Sequence, residues 1–126
     1  MGRAGQRKGE CGEREVVNIL IDRGYKAHRN IQRERGGKGN PDVEARIGGR
    51  TFHCEVKRRE NLCINSAFAQ AAADAVNMTP CVISRKSRRP WLITMTLDDF
   101  LALVNEQNIV FDFEDPETIC YNSAEL

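Results

Sequence analysis

Apolar positions change their spacing several times along the chain, and each change marks an element. Val16, Val17 and Leu20 stand three, four and seven residues after Glu13, which predicts a helix from near Glu10 to Arg23. Gly24 follows as its C-terminal cap. The basic, glycine-containing residues 1–9 ahead of it are expected to be flexible. Tyr25 to Arg29 reads as a short strand, and residues 30–40 as a flexible loop with Arg33, Arg35 and Lys38 among glycines. The spacing then becomes strict alternation, from Asp42 to Ile47 and again from Arg50 to Lys57. Gly48-Gly49 separates the two runs, a turn pair that suits the positive φ angles of a two-residue hairpin.

Beyond the hairpin, Ser66 is a fair N-cap for an alanine-rich helix to about Asn77. Pro80 to Arg85 and Trp91 to Met95 read as strands around a basic turn, Lys86 to Pro90. Thr96, with Asp99 three residues on, opens a helix running to about Glu106. The order αβββαββα describes an α/β domain, a mixed sheet flanked by helices, over residues 10–106. Residues 107–126, with Phe111 and Phe113 among acids, form an acidic segment that belongs to the domain or packs on it.

The hairpin register brings chemistry together. If Ile47 pairs with Arg50, Asp42 faces Glu55 and Glu44 faces His53, with Cβ atoms about 4.5–5.5 Å apart on one face. Val43, Ala45, Ile47, Phe52, Cys54 and Val56 fall on the other, apolar face. Opposed carboxylates repel unless a cation lies between them, and their hard oxygens suit Mg²⁺, with Mn²⁺ as a substitute. Lys57 reaches the same end of the polar face, where it can orient a water or stabilise charge on a phosphate. A bare D…E-x-K occurs often by chance. Pro41 before Asp42 and an acid, Glu13, at the head of a core-facing stripe make the set more specific. His53 on this face is expected to meet phosphate or solvent, and Glu44 is a weaker third acid than Glu13.

Charge changes the picture further. Residues 1–89 carry all 19 Lys and Arg against 10 acids, a net +9, whereas residues 90–126 carry 8 acids and no basic residue, a net −8. A basic body of this size favours a polyanion through counterion release, although a solvated charged surface explains it equally well. At 126 residues, one domain is expected. No apolar run approaches the ~20 residues that span a bilayer, and the first residues do not resemble a secretory signal, so a cytoplasmic protein is the expectation. Cys11, Cys54, Cys63, Cys81 and Cys120 are widely spaced, with no C-x-x-C, and read as reduced, mostly buried thiols rather than zinc ligands.

The runs GEREVVNILIDRGYKAHR and PDVEARIGGRTFHCEVK resemble the PD-(D/E)XK nuclease superfamily, and within it the archaeal-type Holliday junction resolvases. The resemblance is close over residues 10–60 and loose to about residue 105. It implies a restriction-endonuclease-like fold and Mg²⁺-dependent hydrolysis of DNA phosphodiesters, with branched DNA as the substrate and a homodimer as the active form. Glu13 matches the carboxylate of the first helix, Asp42 and Glu55 the metal ligands together with the backbone carbonyl of Val56, and Lys57 the catalytic lysine. Gln70 falls on the helix where related nucleases place a polar residue near the metal water. Arg14 and Arg29 match phosphate contacts. The loop residues Arg33, Arg35 and Lys38, then Arg58, Arg59 and the Arg85–Arg89 turn, are further phosphate contacts by their charge. Phe100, Leu101, Leu103 and Val104 are the candidate dimer surface, with core packing as the simpler account for half of them. Two alternatives stand beside junction cleavage: the same chemistry on nicks, flaps or duplex ends, and a non-catalytic nucleic-acid-binding protein.

Overall fold

The computed structural model describes residues 3–30 and 40–114, with side chains from residue 9 to 106 within them. Two compact units divide the chain, Met1–Met95 and Thr96–Leu126. The first holds a helix α1 (Arg3–Asp22), strands β1 (Lys26–Arg29), β2 (Val43–Ile47) and β3 (Arg50–Arg58), helix α2 (Ile64–Asp74), and strands β4 (Thr79–Arg85) and β5 (Leu92–Thr94). The second holds α3 (Leu97–Glu114). The element order is the expected αβββαββα, and the fold is α/β, a mixed sheet with helices.

The five strands form one sheet in chain order. β1 and β2 run antiparallel, as do β2 and β3 and β4 and β5, while β3 and β4 are parallel. A parallel pair needs a crossover, and α2 supplies it. Helix α1 packs on β1 and β3, with Gly12 facing Val56, Arg58 and Trp91. Helix α2 covers the opposite face through Ala67 and Ala71 against Val82. β3 therefore lies between two helices, and its residues Phe52 to Val56 are buried on both faces.

Boundaries shift in two helices. α1 begins at Arg3 rather than Glu10, because Arg, Ala, Gln and Lys favour helix enough to carry it through Gly5 and Gly9. Its end is as expected: Gly24, at φ +91°, donates to the Ile21 carbonyl while Tyr25 donates to that of Leu20, the paired bonds of a Schellman cap. α2 starts two residues before Ser66, with Cys63 at the N-cap and no side-chain cap bond; Ser66 Oγ instead lies 3.1 Å from Cys63 Sγ. It stops at Asp74, short of Asn77, which takes a positive φ. In the second unit, Thr96 Oγ1 accepts from the Asp99 N–H at 3.0 Å, as the capping pattern requires, and α3 continues past Glu106 to Glu114. Phe113 and Cys120 lie outside the described side chains. Of the four cysteines that are described, Cys54 and Cys81 are buried but Cys11 and Cys63 are exposed, so burial is not general. No helix among the described residues is long and apolar enough to cross a membrane.

Candidate active site

The Gly48-Gly49 turn takes φ +59° and +82°, and Ile47 pairs with Arg50 as the two-residue loop demands. Residues flanking such a loop exchange backbone hydrogen bonds, so the pairs Cys54–Val43 and Phe52–Ala45 do likewise, and His53–Glu44 is a non-hydrogen-bonded pair. Extended one residue past Val43, the same alternation sets Asp42 opposite Glu55 in the non-hydrogen-bonded position, where side chains approach most closely. The Val56 N–H, turned toward β2, donates to Asp42 Oδ2 at 3.0 Å and fixes that carboxylate against the strand end.

The electrostatics follow from this placement. Burial, the Glu55 charge and a hydrogen bond shared with Glu55 push the Asp42 carboxyl up to about 7, against the pull of the Val56 N–H; Glu13 adds the weakest push. Burial also raises Glu55, but its contacts with His53 and Asp42 and the Lys57 charge more than offset this and hold it low. Crowding of the two carboxyls thus favours one shared proton over two adjacent charges. Two hard-oxygen donors forced together in this way, Glu55 buried and Asp42 half-buried, fit a divalent cation, which would displace that proton and remove the repulsion. The Val56 carbonyl lies on the same side of β3 as its N–H and is available to the same ion.

The structure separates other expected residues from this pair. Glu13, on α1, binds Arg29 Nε at 3.0 Å, and among the described residues no three His, Cys, Asp or Glu side chains close on one point. Glu13 is therefore near the pair but not part of a three-carboxylate cluster, because the guanidinium holds it. Arg29 and Arg58, expected to meet phosphate, are engaged within the fold: Arg29 by Glu13, and Arg58 by Glu15, which also takes Arg85 at 2.9 Å. Arg85 lies over the Trp91 ring as well, 5.2 Å from its centre. Arg14 and Arg59 are exposed. Arg33, Arg35 and Lys38 fall outside the described residues.

His53 overturns an expectation. It is 0% exposed rather than at solvent, since α2 covers the face that alternation alone marks as polar. Its Nε2 is 3.6 Å from Glu55 Oε1, and neither ring nitrogen has a hydrogen-bond partner among the described residues. Glu44 turns instead toward the exposed His28, 3.8 Å away. Lys57 and Gln70 do come together, lining one cavity of about 200 Å³ with Ser66 and Arg59. What sequence reasoning missed is Glu15, the anchor of two arginines, and the burial of His53. The first left no signal in spacing, and the second follows only once α2 lies over the face that residues 53 and 55 share.

A β-hairpin with opposed Asp42 and Glu55, Lys57 two residues on, and a mixed sheet between two helices define the core of a PD-(D/E)XK nuclease. The model of the family described as "Phage putative PDDEXK endonuclease" matches residues 4–118, and the chain belongs to that family. Among solved structures it is similar to Hjc, a Holliday junction resolvase from the archaeal hyperthermophile Archaeoglobus fulgidus, with 22% identity over 66% of this chain and 72% of that one and a TM-score of 0.46. No curated protein matches the chain.

Proposed function

We propose that this nuclease is a Mg²⁺-dependent DNA endonuclease acting in the cytoplasm, with a branched duplex, chiefly a four-way junction, as its substrate. The observation that carries the chemistry is the confrontation of the half-buried Asp42 with the buried Glu55, two carboxyls pressed together beside Lys57. Asp42, Glu55 and the Val56 carbonyl hold the cation, and Mn²⁺ substitutes for Mg²⁺. When bound, the ion polarises the scissile phosphate and makes water a better nucleophile at neutral pH. Lys57 orients the attacking water and offsets charge gathering on the phosphate. Gln70, on the same cavity wall, positions that water from α2. Glu13 acts one step away, through Arg29.

Arg14, Arg59, the Lys86–Arg89 turn and the loop residues Arg33, Arg35 and Lys38 hold the backbone phosphates. The preference for a junction rests on the resemblance of residues 10–60 to junction resolvases. A junction has two-fold symmetry and needs two opposed cuts, which calls for a C2 dimer. Phe100 and Leu101, both exposed on α3, are its surface. The test is incubation with junction, flap, nicked and linear DNA, with Mg²⁺ or EDTA. Paired cuts in the junction with Mg²⁺ and none in EDTA are expected. Cleavage of flaps or ends alone would move the substrate, and cleavage in EDTA would remove the metal.

A further inference from the structure

We propose that a cavity next to the one that holds Lys57, between the start of α2 and strands β4 and β5, receives one unpaired nucleotide of the DNA beside the bond to be cut. The proposal rests on the nuclease reading above and names the feature of the substrate that its site selects. The cavity has a volume of about 560 Å³, within the roughly 300–1,000 Å³ of small-molecule sites. Leu62, Ile64 and Leu92 give it an apolar lining, Ser84 and Thr94 contribute hydroxyls, and Arg59, Lys86 and Arg89 stand around it. No carboxylate is among its described lining residues.

Each part matches one part of a nucleotide. Apolar side chains accept the face of a base, and hydroxyls donate to or accept from its edge. Arginine and lysine meet the phosphates on either side. A paired base inside a duplex cannot present its face to such a slot, whereas an unpaired or extruded one can. The surface that a protein offers to intact duplex is, by contrast, mostly polar. Leu92 is 62% exposed on the edge strand, an apolar group in the middle of a basic surface, which duplex contact alone does not explain.

Position ties the cavity to the cut. Lys57 pairs with Ser84, and Ser84 with Leu92, so the three form one row across β3, β4 and β5 on the α2 face. Two strand spacings separate the ends of that row, about 10 Å, or roughly three stacked nucleotides along one strand. The smaller cavity that holds Lys57 and Gln70 shares Arg59 and Leu62 with the larger one. A strand whose phosphate is held at Lys57 thus continues past Arg59 into the pocket.

The test uses the full chain in EDTA and three labelled DNAs: a blunt duplex, the same duplex with a short single-stranded branch, and that branch carrying 2-aminopurine at successive positions. Fluorescence anisotropy should show the branched DNA bound roughly tenfold more tightly than the blunt one. 2-Aminopurine emission should change at one or two positions nearest the branch point. Leu92→Glu should erase both the preference and the emission change, and the milder Leu92→Ala should erase part of each, with circular dichroism confirming the fold. No binding to any DNA would sink the nuclease reading itself. Binding and Mg²⁺-dependent cleavage without a preference for the branch, or with one that Leu92→Glu leaves intact, would overturn the pocket alone. Dissociation of a dimer by Leu92→Glu in sedimentation would show that a second copy of the chain covers the cavity, and would also overturn it.

Discussion

On the α1 face of the sheet, Glu13 meets Arg29, and Glu15 meets both Arg58 and Arg85, at 2.9–3.4 Å. On the α2 face, Asp42 and Glu55 meet each other, with no arginine among the described residues to divide them. Glu13 and Glu15, on α1, are each matched by arginine, whereas Asp42 is pressed against Glu55, whose other neighbours are His53 and Lys57. A carboxylate matched by guanidinium fastens a helix to a sheet. A carboxylate pressed against another carboxylate raises the free energy of the folded protein until a proton or a cation arrives. The contrast separates acids already matched by arginine within the fold from acids whose repulsion a cation would relieve, and it does so without reference to any relative.

The sharpest way to break the contrast is to neutralise the unmatched pair. Asp42→Asn and Glu55→Gln should each lower the cleavage rate by about 10³-fold or more, roughly 4 kcal/mol of transition-state stabilisation, with junction binding kept or tightened. Residual activity within about tenfold of wild type would show that neither carboxylate holds the metal. Lys57 comes next. Lys57→Ala should lose roughly 10²–10⁴-fold in single-turnover cleavage at saturating Mg²⁺. If the ammonium exchanges a proton with the water, Lys57→Arg loses nearly as much, because arginine stays protonated. Recovery of a substantial fraction of the rate by Arg, at every pH, would reduce the role of Lys57 to positive charge.

The matched acids should behave differently. Glu15→Gln deprives Arg58 and Arg85 of their anion, and the Nε atoms of both are already buried without a partner among the described residues. A loss of roughly 1 kcal/mol in urea denaturation is expected for this partly exposed pair of contacts, with the cleavage step within about threefold of wild type. A larger loss in rate than in stability would place Glu15 in the chemistry and blur the distinction.

A further effect is expected on thermal stability against pH. Folding raises the Asp42 carboxyl from its ordinary 3.8 to about 7, so the folded chain keeps this proton longer than the unfolded chain does. The contribution to stability is complete below about pH 4 and disappears as pH rises through 7. The metal-free protein should therefore lose a few degrees of Tm between pH 5 and 8 from this group, and Mg²⁺ should restore them at pH 8. Asp42→Asn should flatten the metal-free profile and abolish the Mg²⁺ gain. An unchanged profile in Asp42→Asn would mean that the proton is not held there.

What the sequence by itself determined is local. Two adjacent glycines set the hairpin register, and that register alone places Asp42 against Glu55 and Lys57 beside them, because strand alternation admits no other parity. The helix ends at Gly24 and Thr96 are equally local, each settled by a residue and its nearest neighbours along the chain. What only the tertiary structure decided depends on contacts between distant segments. The alternation that sets His53 on the polar face with Glu55 is correct about its side of the strand, but phosphate or solvent does not reach it there. β4 joins β3 in parallel, the crossover helix must then lie on that face, and Ala67 and Ala71 close over it. The same crossover puts Ser84 and Leu92 in line with Lys57 and forms the basic-rimmed cavity from residues more than thirty positions apart. Nor does spacing reveal that Arg58 belongs to Glu15 rather than to a phosphate, because a guanidinium binds either anion equally well and only the docking of α1 brings one of them within reach.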